Sequence, residues 1–116
     1  MRLPLLFVLL SIASTAAVAD LAKVKDGAAF MQLVEGKTLT RPLVKLVVET
    51  NGEISGVGVR WDVSGNWSWR DGYFCRDLFW GGDELGYNCQ EVRADGTRIR
   101  FTSDKGQGRS AVFRLE

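Results

Sequence analysis

The sequence predicts a mainly β protein: a small antiparallel meander or barrel-like sheet of six to eight strands, with one short N-terminal helix and one disulfide. Apolar and polar residues alternate over several short segments, which is typical of strands with one buried face. The turn dipeptides Asn51-Gly52, Asp71-Gly72 and Asp95-Gly96 separate these segments at hairpin spacing. Thirteen glycines in 116 residues favour a strongly curved sheet.

The first residues have the build of a secretory signal peptide. Arg2 supplies a positive charge, residues 3–12 are almost all apolar, and Ala-Val-Ala at residues 17–19 is a cleavage motif. The alternative is a membrane anchor, but the apolar stretch falls short of the roughly 20 residues that a spanning helix needs. We therefore expect a signal peptide at 1–19, one small β domain at 20–116, and a location in the periplasm of a Gram-negative bacterium or outside the cell.

One helix is expected near the start of this domain. Asp26 is suited to cap a helix over residues 27–35, in which Phe30, Leu33 and Val34 share a face. Gly36 is placed to end it. A helix this short is unstable alone, so its apolar face must pack against the sheet.

The rest of the chain is predicted to form strands and turns. Gly56 and Gly58 stand within one strand and indicate a bend or a close approach by another group. A loop is expected around residues 105–108. The predicted strands cover residues 44–49, 54–61, 65–70, 73–80, 85–93, 97–102 and 110–115.

Cys75 and Cys89 are expected to form a disulfide, because exported proteins fold in an oxidising space and only one intramolecular pairing exists. The alternative is a zinc site, but the chain has no histidine and the spacing fits no zinc pattern. If the two cysteines face each other on adjacent antiparallel strands, paired residue numbers sum to 164. The pairs predicted in this way are Tyr73 with Glu91, Asp77 with Tyr87, and Phe79 with Leu85.

Aromatic and arginine residues near the cysteines form the candidate binding site. Alternation places Phe74, Arg76, Leu78 and Trp80 on one face of their strand and leaves open which face is interior. Tryptophan and guanidinium groups can stack on a ligand or hold an anion. The alternative is that the tryptophans fill the core beneath arginine stems. The candidate contacts are Trp67, Trp69, Arg70, Arg76 and Trp80.

No catalytic motif is found. The chain lacks histidine, the commonest general base, and has neither a nucleophile elbow nor a dinucleotide fingerprint. We expect no catalytic residue, no metal and no cofactor.

The chain has 15 basic and 14 acidic residues, and removing Arg2 with the signal leaves 14 of each. A net charge near zero argues against nucleic acid or an anionic membrane as partner. We expect a monomer.

Several segments resemble a group of short exported proteins of alphaproteobacteria related to Rhodobacter and Roseobacter. The resemblance covers nearly the whole domain. It rests on Phe-x-x-Leu-Val-x-Gly-Lys-Thr-Leu-Thr-Arg at 30–41, Gly-x-Trp-x-Trp at 65–69, Gly-Tyr-Phe-Cys-Arg at 72–76, Tyr-Asn-Cys at 87–89 and Ile-Arg-Phe-Thr at 99–102.

Members of this group often bear the name dihydrodipicolinate reductase, which implies an NAD(P)H-dependent enzyme. That reductase family has a Rossmann domain and a catalytic motif with paired histidines and a lysine. This chain has no histidine and no glycine fingerprint, so no catalytic residue is transferred to it. The sequence favours a non-catalytic periplasmic module that binds a small ligand or another periplasmic protein. The alternative is the reductase activity.

Overall fold

The computed structural model describes Pro4 and residues 21–116. The signal peptide predicted at 1–19 lies outside the described residues, apart from Pro4. The elements are β1 (Ala22–Lys23), α1 (Gly27–Val34), β2 (Leu39–Arg41), β3 (Val44–Val48), β4 (Glu53–Gly58), β5 (Trp61–Arg70), β6 (Tyr73–Trp80), β7 (Asp83–Ala94), β8 (Arg98–Thr102), α2 (Ser103–Gly106) and β9 (Ser110–Leu115).

Eight antiparallel strands form a closed barrel, which confirms the predicted fold class. Strands β2 to β7 follow one another around the wall, β8 pairs with both β7 and β9, and β9 pairs with β2. The short strand β1 is the extra ninth strand and pairs with the end of β7. Backbone hydrogen bonds in both directions between Thr38 and Glu116 continue the β2–β9 seam. Closure leaves the barrel wall without a free edge between its first and last strands.

Helix α1 packs at one end of the barrel. The Asp26 carboxylate accepts a hydrogen bond from the Ala29 amide at 2.8 Å, as the sequence predicts. Phe30 and Val34 are buried, and Gly36 follows the helix with φ 69°. Phe30 is completely buried among the aromatic rings of the barrel core. The helix therefore closes the end of the barrel that holds the β5–β6 and β7–β8 turns.

The cysteine hairpin has the predicted register at its centre but not at its tip. Cys75 is bonded to Cys89, and Asp77 lies opposite Tyr87. The predicted pairing of Phe79 with Leu85 is wrong, because the register shifts by one residue after Leu78 and Phe79 lies opposite Glu84. This β-bulge accommodates one additional residue in β7. The prediction that paired residue numbers sum to 164 assumes a regular ladder of strand pairs, so it cannot detect a bulge.

The predicted strand over residues 54–61 is also wrong, because a hairpin turn divides it. Strand β4 ends at Gly58 and β5 begins at Trp61. Val59 has the left-handed φ of 59°, a conformation rare for a β-branched residue. The two central residues, Val59 and Arg60, are not the glycine, asparagine or aspartate usual in such a turn, and Gly58 before them indicated a bend without fixing its position. As a result, β5 is ten residues long and includes residues 62–64, which lie between two of the predicted strands.

The barrel interior is lined by alternate residues of each strand. On β6 the inward face carries Phe74, Arg76 and Leu78, which resolves the face left open by the sequence. Gly58 allows close packing, because a Cβ there would lie 3.1 Å from Trp80 Nε1.

In the described part of the chain, no helix has the length and apolarity needed to cross a membrane.

Candidate functional site

A cavity of about 270 Å³ lies inside the barrel. Its volume is just below the range of about 300–1,000 Å³ that is usual for small-molecule sites. Among the residues that the structure describes, no acidic side chain lines it. The apolar lining consists of Leu39, Leu46, Val48, Ile54, Phe74, Leu78, Phe101, Ala111 and Phe113, and the polar lining of Arg76, Gln90, Ser103, Arg109 and Ser110.

The apolar part of the cavity lies toward the helix-capped end. Phe74 and Phe101 line the cavity, and their rings also contact Phe30 of α1, with centroids 5.0 and 6.3 Å away. Phe30 thus supports the rings that form the floor. The exposed residues Arg109 and Ser110 lie toward the opposite end, at the β8–β9 connection. The cavity therefore runs from an aromatic floor to a polar mouth.

Arg76 places a positive charge within this lining. Its Nη1 donates a hydrogen bond to the Gly86 carbonyl oxygen at 2.7 Å. Its Nε is buried, and no acceptor among the described residues pairs with it. The ion pairs formed within residues 21–116 involve Arg93, Arg98 and Arg114. The Arg76 guanidinium thus has no carboxylate partner in this part of the chain.

The environment of Arg76 disfavours its charged form. Burial lowers the pKa of the guanidinium, and the charge of neighbouring Asp77 raises it in partial compensation. A guanidinium nevertheless stays protonated at neutral pH. An unpaired charge on an apolar wall costs free energy, because water is only partly replaced by protein dipoles. This cost makes the cavity receptive to a group that would pair with Arg76.

The segment containing α2 is fixed to β7 and places two polar groups at the mouth. Asn88 Nδ2 donates to Asp104 Oδ1 at 2.8 Å, and the Asp104 amide donates to Asn88 Oδ1 at 2.9 Å. Gln90 Nε2 donates to Ser103 Oγ at 3.1 Å. These bonds hold the connection beside the N-terminal half of β7, beyond the reach of β8. Ser103 and Arg109 consequently lie at the cavity.

A further guanidinium lies near the cavity wall. The Cζ atom of Arg41 is 5.7 Å from the centroid of the Phe113 ring, a cation–π distance. Phe113 itself lines the cavity, whereas Arg41 is exposed. Arg41, Arg76 and Arg109 therefore give the mouth a positive character, with two of the three lining the cavity itself.

Trp67 and Trp69, from the predicted site, lie together at the helix-capped end. The Trp67 ring is 5.1 Å from Phe30 and 5.6 Å from Phe74, and its Nε1 donates to the Glu49 carbonyl oxygen at 2.8 Å. The Trp69 ring stacks on Phe30 at 5.3 Å. Both side chains are half-buried. They support the cavity floor without lining the cavity.

Trp80 and Arg70 lie apart from the other members of the predicted set. Trp80 Nε1 donates to the Gly58 carbonyl oxygen at 2.9 Å, and its ring meets the Trp61 ring edge-on at 5.2 Å. The Arg70 side chain is on the outer face, where its Nε donates to Ser68 Oγ at 3.2 Å. Among the five predicted contacts, the structure places only Arg76 in the cavity lining.

Sequence reasoning missed the residues that later strands contribute. Gln90, Ser103, Arg109 and Ala111 line the cavity but belong to segments that the candidate set did not include. One usable signal was present: Arg76 stands between Phe74 and Leu78 on the same strand face. A charge in a row of apolar residues marks a polar group within a core. The partners from β8 and β9 depend on closure, which local patterns do not encode.

The described residues 21–116 contain no cluster of three or more side chains suited to hold a metal ion. The Cys75–Cys89 disulfide is compatible with an extracellular or periplasmic protein.

Comparison of the chain with protein-family models, with curated proteins and with solved structures found no match. The geometry of the cavity is therefore the basis for a functional argument.

Proposed function

We propose that this protein is a non-catalytic binding module that holds a small, largely apolar molecule inside the barrel, in the periplasm of a Gram-negative bacterium. The observation that carries the proposal is the cavity of about 270 Å³, with apolar walls, inside an eight-stranded barrel. Barrels of eight strands are just wide enough either to be filled by side chains or to hold one small ligand. The residual space in this barrel supports the second use.

The rigidity of the cavity walls supports the same proposal. Closure pairs every strand of the barrel on both sides, and the disulfide links β6 to β7 beside Arg76. The buried cluster around Phe30 fixes the floor. A preformed cavity requires little reorganisation when a ligand enters, so less binding free energy is lost in ordering the site.

The test is the binding of the neutral dye N-phenyl-1-naphthylamine, whose fluorescence rises in apolar surroundings. We expect the purified protein to enhance its fluorescence, and Ala111→Phe to weaken binding at least tenfold by filling the cavity. Leu46→Phe, on another part of the wall, should act in the same direction. Val112→Phe is the matched control, because Val112 is 43% exposed and does not line the cavity.

Two results would contradict the proposal. One is dye binding that is equal in Val112→Phe, Ala111→Phe and Leu46→Phe, with thermal melts showing that all three variants are folded. The other is the absence of any fluorescence enhancement by the wild-type protein. Either result would mean that the barrel interior does not accept a guest molecule.

The same experiment also tests the alternative function, the reductase activity. NADPH is added to the complex of protein and dye, and its own fluorescence is recorded with the protein alone. A nicotinamide dinucleotide is far larger than a cavity of about 270 Å³. We expect no displacement and no change in nucleotide fluorescence. Saturable binding of NADPH would instead favour the enzyme.

A further inference from the structure

We propose that the ligand of this cavity is a monocarboxylic acid with a compact apolar body, whose carboxylate pairs with Arg76 while the body lies against the aromatic floor. This inference rests on the proposed function and deepens it by naming the ligand class. The geometry points to this class because the cavity combines a long apolar surface with a positive group that lacks a partner.

The apolar body is specified by the floor and walls. Phe74, Phe101 and Phe113 supply rings, and Leu39, Val48 and Ile54 supply aliphatic surface. All six side chains are buried. None of them can form a hydrogen bond, so a polar group placed among them would lose its water without replacement. The part of the ligand that reaches the floor must therefore be hydrocarbon.

The carboxylate is specified by Arg76. One side of the guanidinium is used, since Nη1 donates to the Gly86 carbonyl oxygen. The buried Nε has no acceptor among the described residues. A guanidinium presents its donors in a planar fork that matches a carboxylate, and charge-assisted hydrogen bonds are the stronger kind. A carboxylate in the cavity would supply an acceptor for the edge of the guanidinium that Gly86 leaves free, and it would neutralise the charge.

The mouth favours an anion over a cation or a neutral head group. Arg109 lines the cavity, and Arg41 lies over the ring of Phe113. Within residues 21–116, no carboxylate side chain lines the cavity, and Asp104 on the segment at the mouth accepts a hydrogen bond from Asn88. Ser103 and Gln90 add hydrogen-bonding groups beside the mouth. An ammonium ligand would meet two like charges there, whereas an anion meets complementary ones.

The size of the cavity limits the acid to a small one. About 270 Å³ suits a chain of roughly eight carbons or a single substituted ring, well below the volume of a common membrane fatty acid. In the opposite orientation, the carboxylate would lie among the phenylalanine rings of the floor, where no group could replace its hydration. The ligand therefore enters with its hydrocarbon end first.

The experiment compares octanoate with octanol, which share a hydrocarbon chain of the same length but differ in charge. Calorimetric titration of the purified protein near neutral pH should show octanoate binding at least tenfold more tightly than octanol, the factor expected for a charged hydrogen bond. In Arg76→Gln this preference should fall to about twofold or less, whereas octanol affinity should change little. Arg76→Lys keeps the charge and should retain part of the preference.

Arg70→Gln is the matched control, because Arg70 lies on the outer face and contacts Ser68. It should leave the preference for octanoate unchanged. Thermal melts establish that each variant is folded, and Arg109→Gln provides a second substitution at the mouth that should reduce the preference independently.

The outcomes separate this inference from the proposed function. If octanol and octanoate bind equally to the wild type, the cavity binds apolar molecules but the carboxylate assignment is wrong. An unchanged preference in folded Arg76→Gln also overturns the assignment of the anchoring residue. If neither compound binds and the dye does not bind, the proposed function itself is wrong.

Discussion

At the scale of single residues, Arg76 determines which ligand the proposed site in the barrel would recognise. Its neighbours on the inward face of β6 are Phe74 and Leu78, and burial lowers the pKa of its guanidinium. The sequence placed Arg76 among the candidate contacts and on the same strand face as these two residues. It could not show that this face is interior, because both faces of β6 carry apolar groups. The buried surroundings of the Arg76 guanidinium therefore became apparent only from the structure.

Asp95 is a second residue whose charge matters, and it acts on stability. Its Oδ1 accepts hydrogen bonds from the Thr97 amide at 3.0 Å and the Arg98 amide at 2.8 Å. These backbone bonds are the main reason that the pKa of the carboxyl is lowered to about 2. The ordinary value in an unfolded chain is about 3.9. The folded state therefore binds the proton less readily than the unfolded chain does.

The sign of the pH effect follows from this difference. The stabilisation is fully present above about pH 5, where the carboxyl is ionised in both states, and it is lost as the pH falls through about 4 toward about 2. We expect Asp95→Ala to lower the thermal midpoint by a constant amount from pH 7 to pH 5. The gap from the wild type should then shrink between pH 4 and pH 2.

Thermal melts at five pH values between 7 and 2 check this prediction. Asp83→Ala removes another exposed carboxylate at the start of a strand and serves as the control. A gap between wild type and Asp95→Ala that stays constant down to pH 2 would show that the charge does not contribute through this turn.

At the scale of elements, the β6–β7 hairpin holds the anchor of the proposed site. The bulge after Leu78 changes the register close to Gly86, whose carbonyl oxygen binds Arg76. Gly86 has φ 84°, a left-handed value that glycine adopts without strain. The disulfide between Cys75 and Cys89 links the same two strands next to Arg76. The hairpin thus combines a covalent link with a local irregularity that orients the guanidinium.

The disulfide should contribute strongly to the stability of this small domain. Its cysteines are 14 residues apart, and chain-entropy arithmetic for a loop of about 15 residues gives about 3 kcal/mol. We expect the double variant Cys75→Ala, Cys89→Ala to lower the free energy of unfolding by about 2–4 kcal/mol in urea titrations. Reducing the wild-type protein should have a comparable effect. A loss below about 0.5 kcal/mol would contradict a stabilising role.

Element boundaries show where local signals are sufficient. Strand β9 and the capped start of α1 agree with the sequence prediction, because alternation and an Asp cap are clear local patterns. The turn at Val59 and Arg60 carries no typical turn residues at its centre, and the pairing of β4 with β5 in one hairpin places Val59 in the left-handed conformation. Where strand pairing overrides the preference of the turn residues, sequence reasoning places the boundary wrongly.

At the scale of the whole molecule, closure creates the cavity. The barrel closes through β2, a strand of three residues whose partner β9 is the last strand of the chain. Leu39 lies opposite Leu115, and Thr40 lies opposite Arg114. A strand this short has no measurable alternation, so the meander was predictable and its closure was not. The cavity and its residues from β8 and β9 follow from closure, which is why they were missed.

The position of octanoate in the complex tests the central claim most directly. Nuclear Overhauser effects between the bound ligand and isotopically labelled protein would locate it. We predict contacts from the terminal methyl group to the Phe74 and Phe101 rings and the Ile54 side chain, and from the methylene beside the carboxylate to Arg76. Contacts confined to the exposed residues Val57 and Leu85 would contradict a ligand site inside the barrel.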